Sequence, residues 1–147
     1  MSASKNRIYF LLQRAAHRLR TEADAALMAE CGLTTAQSAV MTIVAEHGPV
    51  TQNYVAETLS QRESAITAMA ARLVKAGLIS KTRSMRDSRA FELAITPAGD
   101  AALRVSRSTF GAINAKLDAQ IDADRMTALA GDLEKILAAF DGDESNA

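Results

Sequence analysis

The chain has 147 residues, 48% of them apolar and 23% charged, with 7 Gly, 2 Pro, 1 Cys and no Trp. That balance describes an ordered, largely helical protein of one domain, or of one domain with a dimerisation extension; a single cysteine excludes an intramolecular disulfide. No apolar run reaches the length of a membrane span, and Arg14, His17, Arg18 and Arg20 interrupt the N-terminal segment where a signal peptide needs an apolar core, so the expectation is a cytoplasmic protein without membrane partners.

The first helix is expected from about Ser4 to Ala29, because Ile8, Leu11, Leu12, Ala15, Leu19, Ala23, Ala26 and Leu27 recur at helical spacing as one stripe. Gly32 ends it. Thr34 or Thr35 caps a second helix with Val40, Ile43 and Val44 inward, closed by Gly48-Pro49. Thr51 caps a short third helix burying Val55, Ala56 and Leu59. Ser60-Gln61-Arg62-Glu63 fits a capping box at the start of a fourth helix, and a later start with Arg62 at the cap is the other option. Ile66, Met69, Ala70 and Leu73 form its inward stripe and Gly77 stops it. Two short helices joined by so tight a turn make a helix-turn-helix.

Leu78 to Thr82 reads as a strand, and Phe91, Leu93 and Ile95 alternate with Glu92 and Ala94 as a second, half-buried one. The polar link between them is a wing. Thr96-Pro97 opens a fifth helix, threonine as cap and proline at its first position, running to about Ala119. Asp122 caps a last helix, with Ile121 and Met126 placed as a hydrophobic staple. Leu129, Leu133, Ile136, Leu137 and Phe140 give that helix an apolar face, and a polar tail from Asp141 to Ala147 is expected to fray.

The predicted fold class is mostly α with a small β-hairpin wing: a winged helix-turn-helix with N- and C-terminal dimerisation helices. Residues 1–34 are expected to form the N-terminal helix, on the dimerisation side; 35–97 the DNA-binding winged region; 98–147 the C-terminal dimerisation helices and tail. The terminal helices show more apolar surface than so small a winged core can cover, and packing them on a second copy is the economical solution. A two-fold dimer sets two recognition helices about one DNA turn apart, on a near-palindromic site. A monomeric bundle using the same stripes is the alternative.

Net charge is zero, which by itself argues against a nucleic-acid partner, but the distribution argues for one. Residues 1–20 hold five bases and no acid; residues 21–60 hold five acids and no base; residues 61–90 hold seven bases against Glu63 and Asp87; the remainder holds five bases and ten acids. Such polarity steers an anionic polymer onto one face. With the fourth helix's stripe inward, Ser64, Thr67, Ala68, Ala71 and Lys75 point outward, and Gln61 and Arg62 lie at its amino end, where a helix terminus meets the backbone. Ser64 and Thr67 are adaptable donors and acceptors, and the methyls of Thr67 and Ala68 suit a thymine methyl. Lys81, Arg83, Arg86, Ser88 and Arg89 lie on the wing, and arginine suits the narrow minor groove of A·T-rich DNA. Asp87, unfavourable beside phosphate, is expected to shape the wing by bonding Arg89 or the turn's amides. The bland alternative is an exposed hairpin whose charges only aid solubility.

These segments resemble the MarR family of bacterial transcriptional regulators. Gly32-Leu33-Thr34-Thr35-Ala36-Gln37 is similar to the family's turn into the second helix, and Gly48-Pro49-Val50-Thr51 to its entry to the third. Leu73-Val74-Lys75-Ala76-Gly77-Leu78-Ile79 resembles the end of its recognition helix. Asp87-Ser88-Arg89-Ala90, followed by Leu93-Ala94-Ile95-Thr96-Pro97-Ala98-Gly99, resembles its wing and the start of its fifth helix. The resemblance implies a homodimer held by the terminal helices, binding double-stranded DNA at short inverted repeats, with repression relieved by small anionic or phenolic effectors or by oxidants. It also implies an effector pocket where the first helix meets the second and fifth, which Gln13, His17 and Met41 would line; a solvated or interface histidine is the competing view of His17. Ser88 stands where an arginine is common in the family's wing, Ala68 where a long basic residue is frequent, and Gln61 where the turn usually has an aliphatic side chain.

Cys31, beside Glu30 and without a base near it in sequence, has no evident activation and reads as an inert small residue; a cysteine-based redox-responsive repressor is kept as an alternative. His47 suits the C-terminal end of the second helix. Two distant histidines, one cysteine, no Gly-rich phosphate loop and no metal-ligand spacing give no constellation for an enzyme, a metal or a cofactor. The other class kept open is a winged-helix dimer acting through a protein partner, favoured by the small alanine side chains on the outward helix face.

Overall fold

The computed structural model describes residues 2–141, so most of the polar tail, 142–147, lies outside the described residues. The elements run α1 (Ser2–Cys31), α2 (Thr35–His47), β1 (Val50–Thr51), α3 (Gln52–Thr58), α4 (Glu63–Lys75), β2 (Ile79–Arg83), β3 (Phe91–Ile95), α5 (Pro97–Asp118) and α6 (Ala123–Ala138). They divide into two compact units, Met1–Phe110 and Gly111–Ala147.

In the first unit the caps foreseen from the sequence are formed. Thr34 and Gln37 close a reciprocal capping box on α2, and the Thr51 hydroxyl accepts the Tyr54 amide at 3.1 Å to start α3. The Thr96 hydroxyl accepts the Gly99 amide at 3.0 Å and donates to the Gly77 carbonyl at 2.6 Å, tying the start of α5 to the end of the α4 turn. Gly77 is left-handed there, φ +75°. Leu33, Val40, Met41, Val44, Val55, Ile66, Leu73, Ile79, Leu93 and Leu103, none more than 2% exposed, make the core. Each such aliphatic contributes roughly 1.5–3 kcal/mol by leaving water. Ser38 of α2 and Ser106 of α5 are buried and hydrogen-bond each other, so no hydroxyl is stranded between those helices. Asp24 of α1 accepts the Thr35 amide at 2.7 Å and satisfies a free donor at the start of α2.

Four expectations are corrected. Ser60 does not cap α4: its backbone is left-handed, φ 50°, whereas a cap residue needs an extended one, and Arg62 (φ −68°, ψ 138°) takes that place without a side-chain bond. The helix-turn-helix turn is closed instead by the Gln61 amide donating to Ala56 at 2.9 Å. The hairpin is part of a three-stranded sheet in the order β1-β3-β2, because Val50 and Thr51 pair with Leu93 and Glu92. Phe91 is not inward; it is 43% exposed, beyond the edge of the core. The α1 stripe is buried only at Ala23 and Leu27, while Ile8, Leu11 and Leu19 stand in the open.

Gly99 sits where α5 crosses the end of the α4 turn. A Cβ there would overlap the Leu78 carbonyl oxygen and press on Ile95. In the second unit Asp122 accepts the Arg125 amide at 3.0 Å to cap α6, and Ile121 and Met126 line one open concavity beside that cap. No α6 residue is buried: Leu133, Ile136 and Leu137 are 36–66% exposed, and Phe140 just beyond the helix is 73% exposed.

Since backbone cannot move away as a flexible side chain can, Gly99→Ala is expected to cost about 2 kcal/mol or more. Thermal unfolding checks this, with Gly111→Ala, where an added Cβ meets nothing, as the control.

Candidate nucleic-acid interface

The wing is built from one serine outward. Ser84 follows β2, is 7% exposed, and its hydroxyl donates to Glu92 at 2.8 Å while accepting the amides of Arg86 at 3.1 Å and Asp87 at 3.3 Å. The Ser84 amide donates to the Ala90 carbonyl at 2.9 Å and closes the loop. Inside it, the Asp87 carboxylate accepts the Arg89 amide at 2.9 Å, and the Ala90 amide donates to the Asp87 carbonyl at 3.0 Å. This is the local turn chemistry of Asp and Ser, in which a short side chain replaces a missing backbone partner. Arg86, Ser88 and Arg89 project from the shaped loop and are exposed.

Lys81 and Arg83 lie on β2, exposed, on the strand face that includes Ile79. On α4, Ser64, Thr67, Ala68 and Lys75 are exposed, as are Gln61 and Arg62 at its amino end, while Ile66, Ala70 and Leu73 are buried behind them. Thr67 is less free than its exposure suggests. Its hydroxyl proton is committed within the protein, to the Glu63 carbonyl at 2.9 Å or the Gln52 side-chain oxygen at 3.1 Å. What it can still offer an incoming ligand is its methyl group and oxygen lone pairs.

The residues expected around an effector are only partly brought together. Gln13 and His17 line an open cleft of about 480 Å³ along α1 with Tyr9, Leu12, Ala16 and Arg20, and the Gln13 amide donates to the Tyr9 hydroxyl at 3.0 Å. Met41 is not among them. It is 0% exposed in the core between Val40 and Val44, because the α2 stripe turns it inward. Gln61 lines another cleft, with Arg20 and Asp24 of α1 and Leu59 and Met69 of the helix-turn-helix. Cys31 is half-buried against the core, and His47 ends α2 with its ring edge-on to Tyr54. Among the described residues no cluster of His, Cys, Asp or Glu is arranged to hold a metal ion.

The comparisons with known proteins meet this geometry at the same segment. The MarR family model matches residues 32–90, from the turn before α2 to the last residue of the wing loop. Over these residues the chain resembles the MarR family. It is 36% identical over 73 residues to the HTH-type transcriptional repressor MdtR of Bacillus subtilis; the match takes in 50% of this chain and spans about half, 47%, of that relative. Its fold is similar to that of a probable transcriptional regulator from Pseudomonas aeruginosa, with a TM-score of 0.80 and 27% identity over 88% of this chain and 96% of that one. It is also similar to MepR of S. aureus, solved as a DNA complex, with a TM-score of 0.83 and 19% identity over 90% and 97%.

In the wing and beside it, sequence reasoning gave no site role to Ser84, Glu92, Phe91 or Gln52. Ser84 carried a usable signal, a serine where a strand enters a turn. Glu92 and Phe91 act across the hairpin and need its register. Gln52 touches Thr67 from another helix and left no local trace.

Ser84→Ala removes a donor to Glu92 and an acceptor for two amides. It is expected to cost about 1–2 kcal/mol and to speed hydrogen exchange at the Arg86 and Asp87 amides. Exchange at those amides equal to wild type would show that the loop is held by something else.

Proposed function

We propose that this chain is a MarR-type regulator: a homodimeric, sequence-specific DNA-binding transcriptional regulator that represses by occupying a near-palindromic operator. The observation that carries the reading is the wing: a loop shaped by its own hydrogen bonds, carrying the exposed cations Arg86 and Arg89 beyond Lys81 and Arg83. The outward face of α4, with Ser64, Thr67 and Ala68, is small and offers few bidentate contacts to guanine, so phosphate and minor-groove contacts from the wing supply much of the affinity.

Self-association is supported by unpartnered apolar surface in each unit taken separately. On α1, Ile8, Tyr9, Phe10 and Leu11 are 46–60% exposed; on α6, Leu129, Leu133, Ile136 and Leu137 are uncovered, as is Phe140 just after it. Contiguous apolar stripes of this kind mark protein contacts, and a second copy is the partner that covers both on each chain. Release by a small anionic or phenolic effector belongs to the same reading. The cleft holding Gln13, His17 and Arg20 offers hydrogen bonds and one fixed positive charge beside Tyr9 and Leu12.

Fragments of the host genome selected by the purified protein identify the operator. On the selected site Arg89→Ala is expected to weaken binding about tenfold or more, and unchanged affinity at physiological salt would remove the wing from the interface. Leu133→Asp is expected to shift sedimentation from dimer to monomer and to lower operator affinity with it; a monomeric wild type would overturn the dimer. Cys31→Ser should leave oxidant sensitivity of DNA binding unchanged, since the thiol is half-buried against the core.

A further inference from the structure

The register of the hairpin sorts its charges onto opposite faces. Ile79, Lys81 and Arg83 of β2 stand opposite Ile95, Leu93 and Phe91 of β3, so all six share one side of the sheet. Thr82 stands opposite Glu92 on the other side, where Ser84 holds the Glu92 carboxylate at 2.8 Å. The one acid on these two strands is thereby turned away from the two bases.

On the shared face the first rungs are core, with Ile79 at 2% and Leu93 at 0% exposure. The last rung, Arg83 opposite Phe91, runs out past the core into solvent. There the Lys81 ammonium lies 4.8 Å from the centroid of the Phe91 ring and the Arg83 guanidinium carbon 5.6 Å from it. Both distances fall within the range in which a cation is held by the negative face of an aromatic ring. Neither base forms an ion pair with an acid among the described residues. Two like charges thus share one ring, an arrangement that leaves their remaining N–H donors for a polyanion.

We propose that Phe91 is a positioning residue for DNA binding: its ring holds Lys81 and Arg83 as a fixed pair of cations for successive backbone phosphates. This rests on the DNA-binding reading above. A leucine at this position would cover the same strand edge but hold neither cation, because it lacks the ring quadrupole. Fixing two long side chains beforehand also removes part of the ordering cost that flexible lysine and arginine meet on binding. Phe91 itself need not touch DNA.

The test uses the full chain and a labelled mixed-sequence duplex of about 30 base pairs, with anisotropy followed from about 50 to 300 mM KCl. The Lys81→Ala/Arg83→Ala double variant is expected to reduce the slope of log affinity against log salt by about 2, one for each lost phosphate contact. Phe91→Leu should weaken binding about fivefold at low salt and lower the slope by about 1, with the melting temperature unchanged, and Phe91→Tyr should restore both. If Phe91→Leu binds like wild type while the double variant loses affinity and slope, the positioning role is overturned and the DNA reading stands. If Phe91→Leu weakens binding only in proportion to a lowered melting temperature, the role is structural and the proposal also fails. Wild-type binding that is absent, or that does not respond to salt, overturns both readings.

Discussion

Everything the wing presents depends on the burial of Leu93 at the middle of β3. That strand is the centre of the sheet, paired with β1 on one side and β2 on the other, and Leu93 is fully buried between them. Because side chains alternate along a strand, fixing Leu93 inward fixes Glu92 outward on the opposite face and places Phe91 one rung further on the core side. A one-residue slip would turn every one of these side chains over. The hydrophobic core therefore sets not only the stability of the hairpin but also which face carries its cations and which carries its acid.

The same strand explains the tight glycines around the sheet. A Cβ on Gly48 would run into the Val44 carbonyl at the end of α2, and one on Gly99 into the Leu78 carbonyl before β2. Helix α5 thus approaches the sheet end through bare backbone while α2 closes its own last turn through it, and the Thr96 hydroxyl joins the α5 contact to the end of the α4 turn. The exposed face of α4 and the wing loop are held to one core by short, local attachments. Such a scaffold suits the proposed docking of that surface on a rigid, regularly spaced polyanion.

Most of the fold was legible because it is written in local rules: helical stripes, the caps at Thr34, Thr51, Thr96 and Asp122, and stops at Gly32 and Gly77. Most of the failures turn on a contact far away in sequence, whereas at Ser60 a neighbouring one overrides the local pattern. Ser60 and Glu63 satisfy a capping-box pattern, yet the closure of the turn from Gln61 back to Ala56 drives Ser60 left-handed. Val50 and Thr51 are too few to announce a strand and become one only beside Leu93 and Glu92. Phe91 continues the alternation of Leu93 and Ile95 but falls one rung beyond the core. The α1 stripe is correct as a helix signal; what it cannot state is which surface covers it, and in the isolated chain little does. Met41 is the reverse case, a residue assigned to a pocket by resemblance that packing places in the core.

A chain with no net charge is a poor advertisement for a polyanion partner, and the structure gives that neutrality a different meaning. The bases of residues 61–90 are not diluted by the acids around them, because the two acids in that stretch serve the backbone: Glu63 starts α4, where an acid favours the helix dipole, and Asp87 accepts a wing amide. Glu92, next in sequence, is bound by Ser84 on the far face of the hairpin. Screening over a Debye length of roughly 8 Å makes such local arrangement matter more than the sum over the chain. Each acid near the wing is used to shape the loop or is turned away from its cations, and Lys81, Arg83, Arg86 and Arg89 are left exposed. Neutrality of the whole and a cationic edge are compatible because the same hydrogen bonds that hold the loop's shape also keep its acids away from the face that carries the cations.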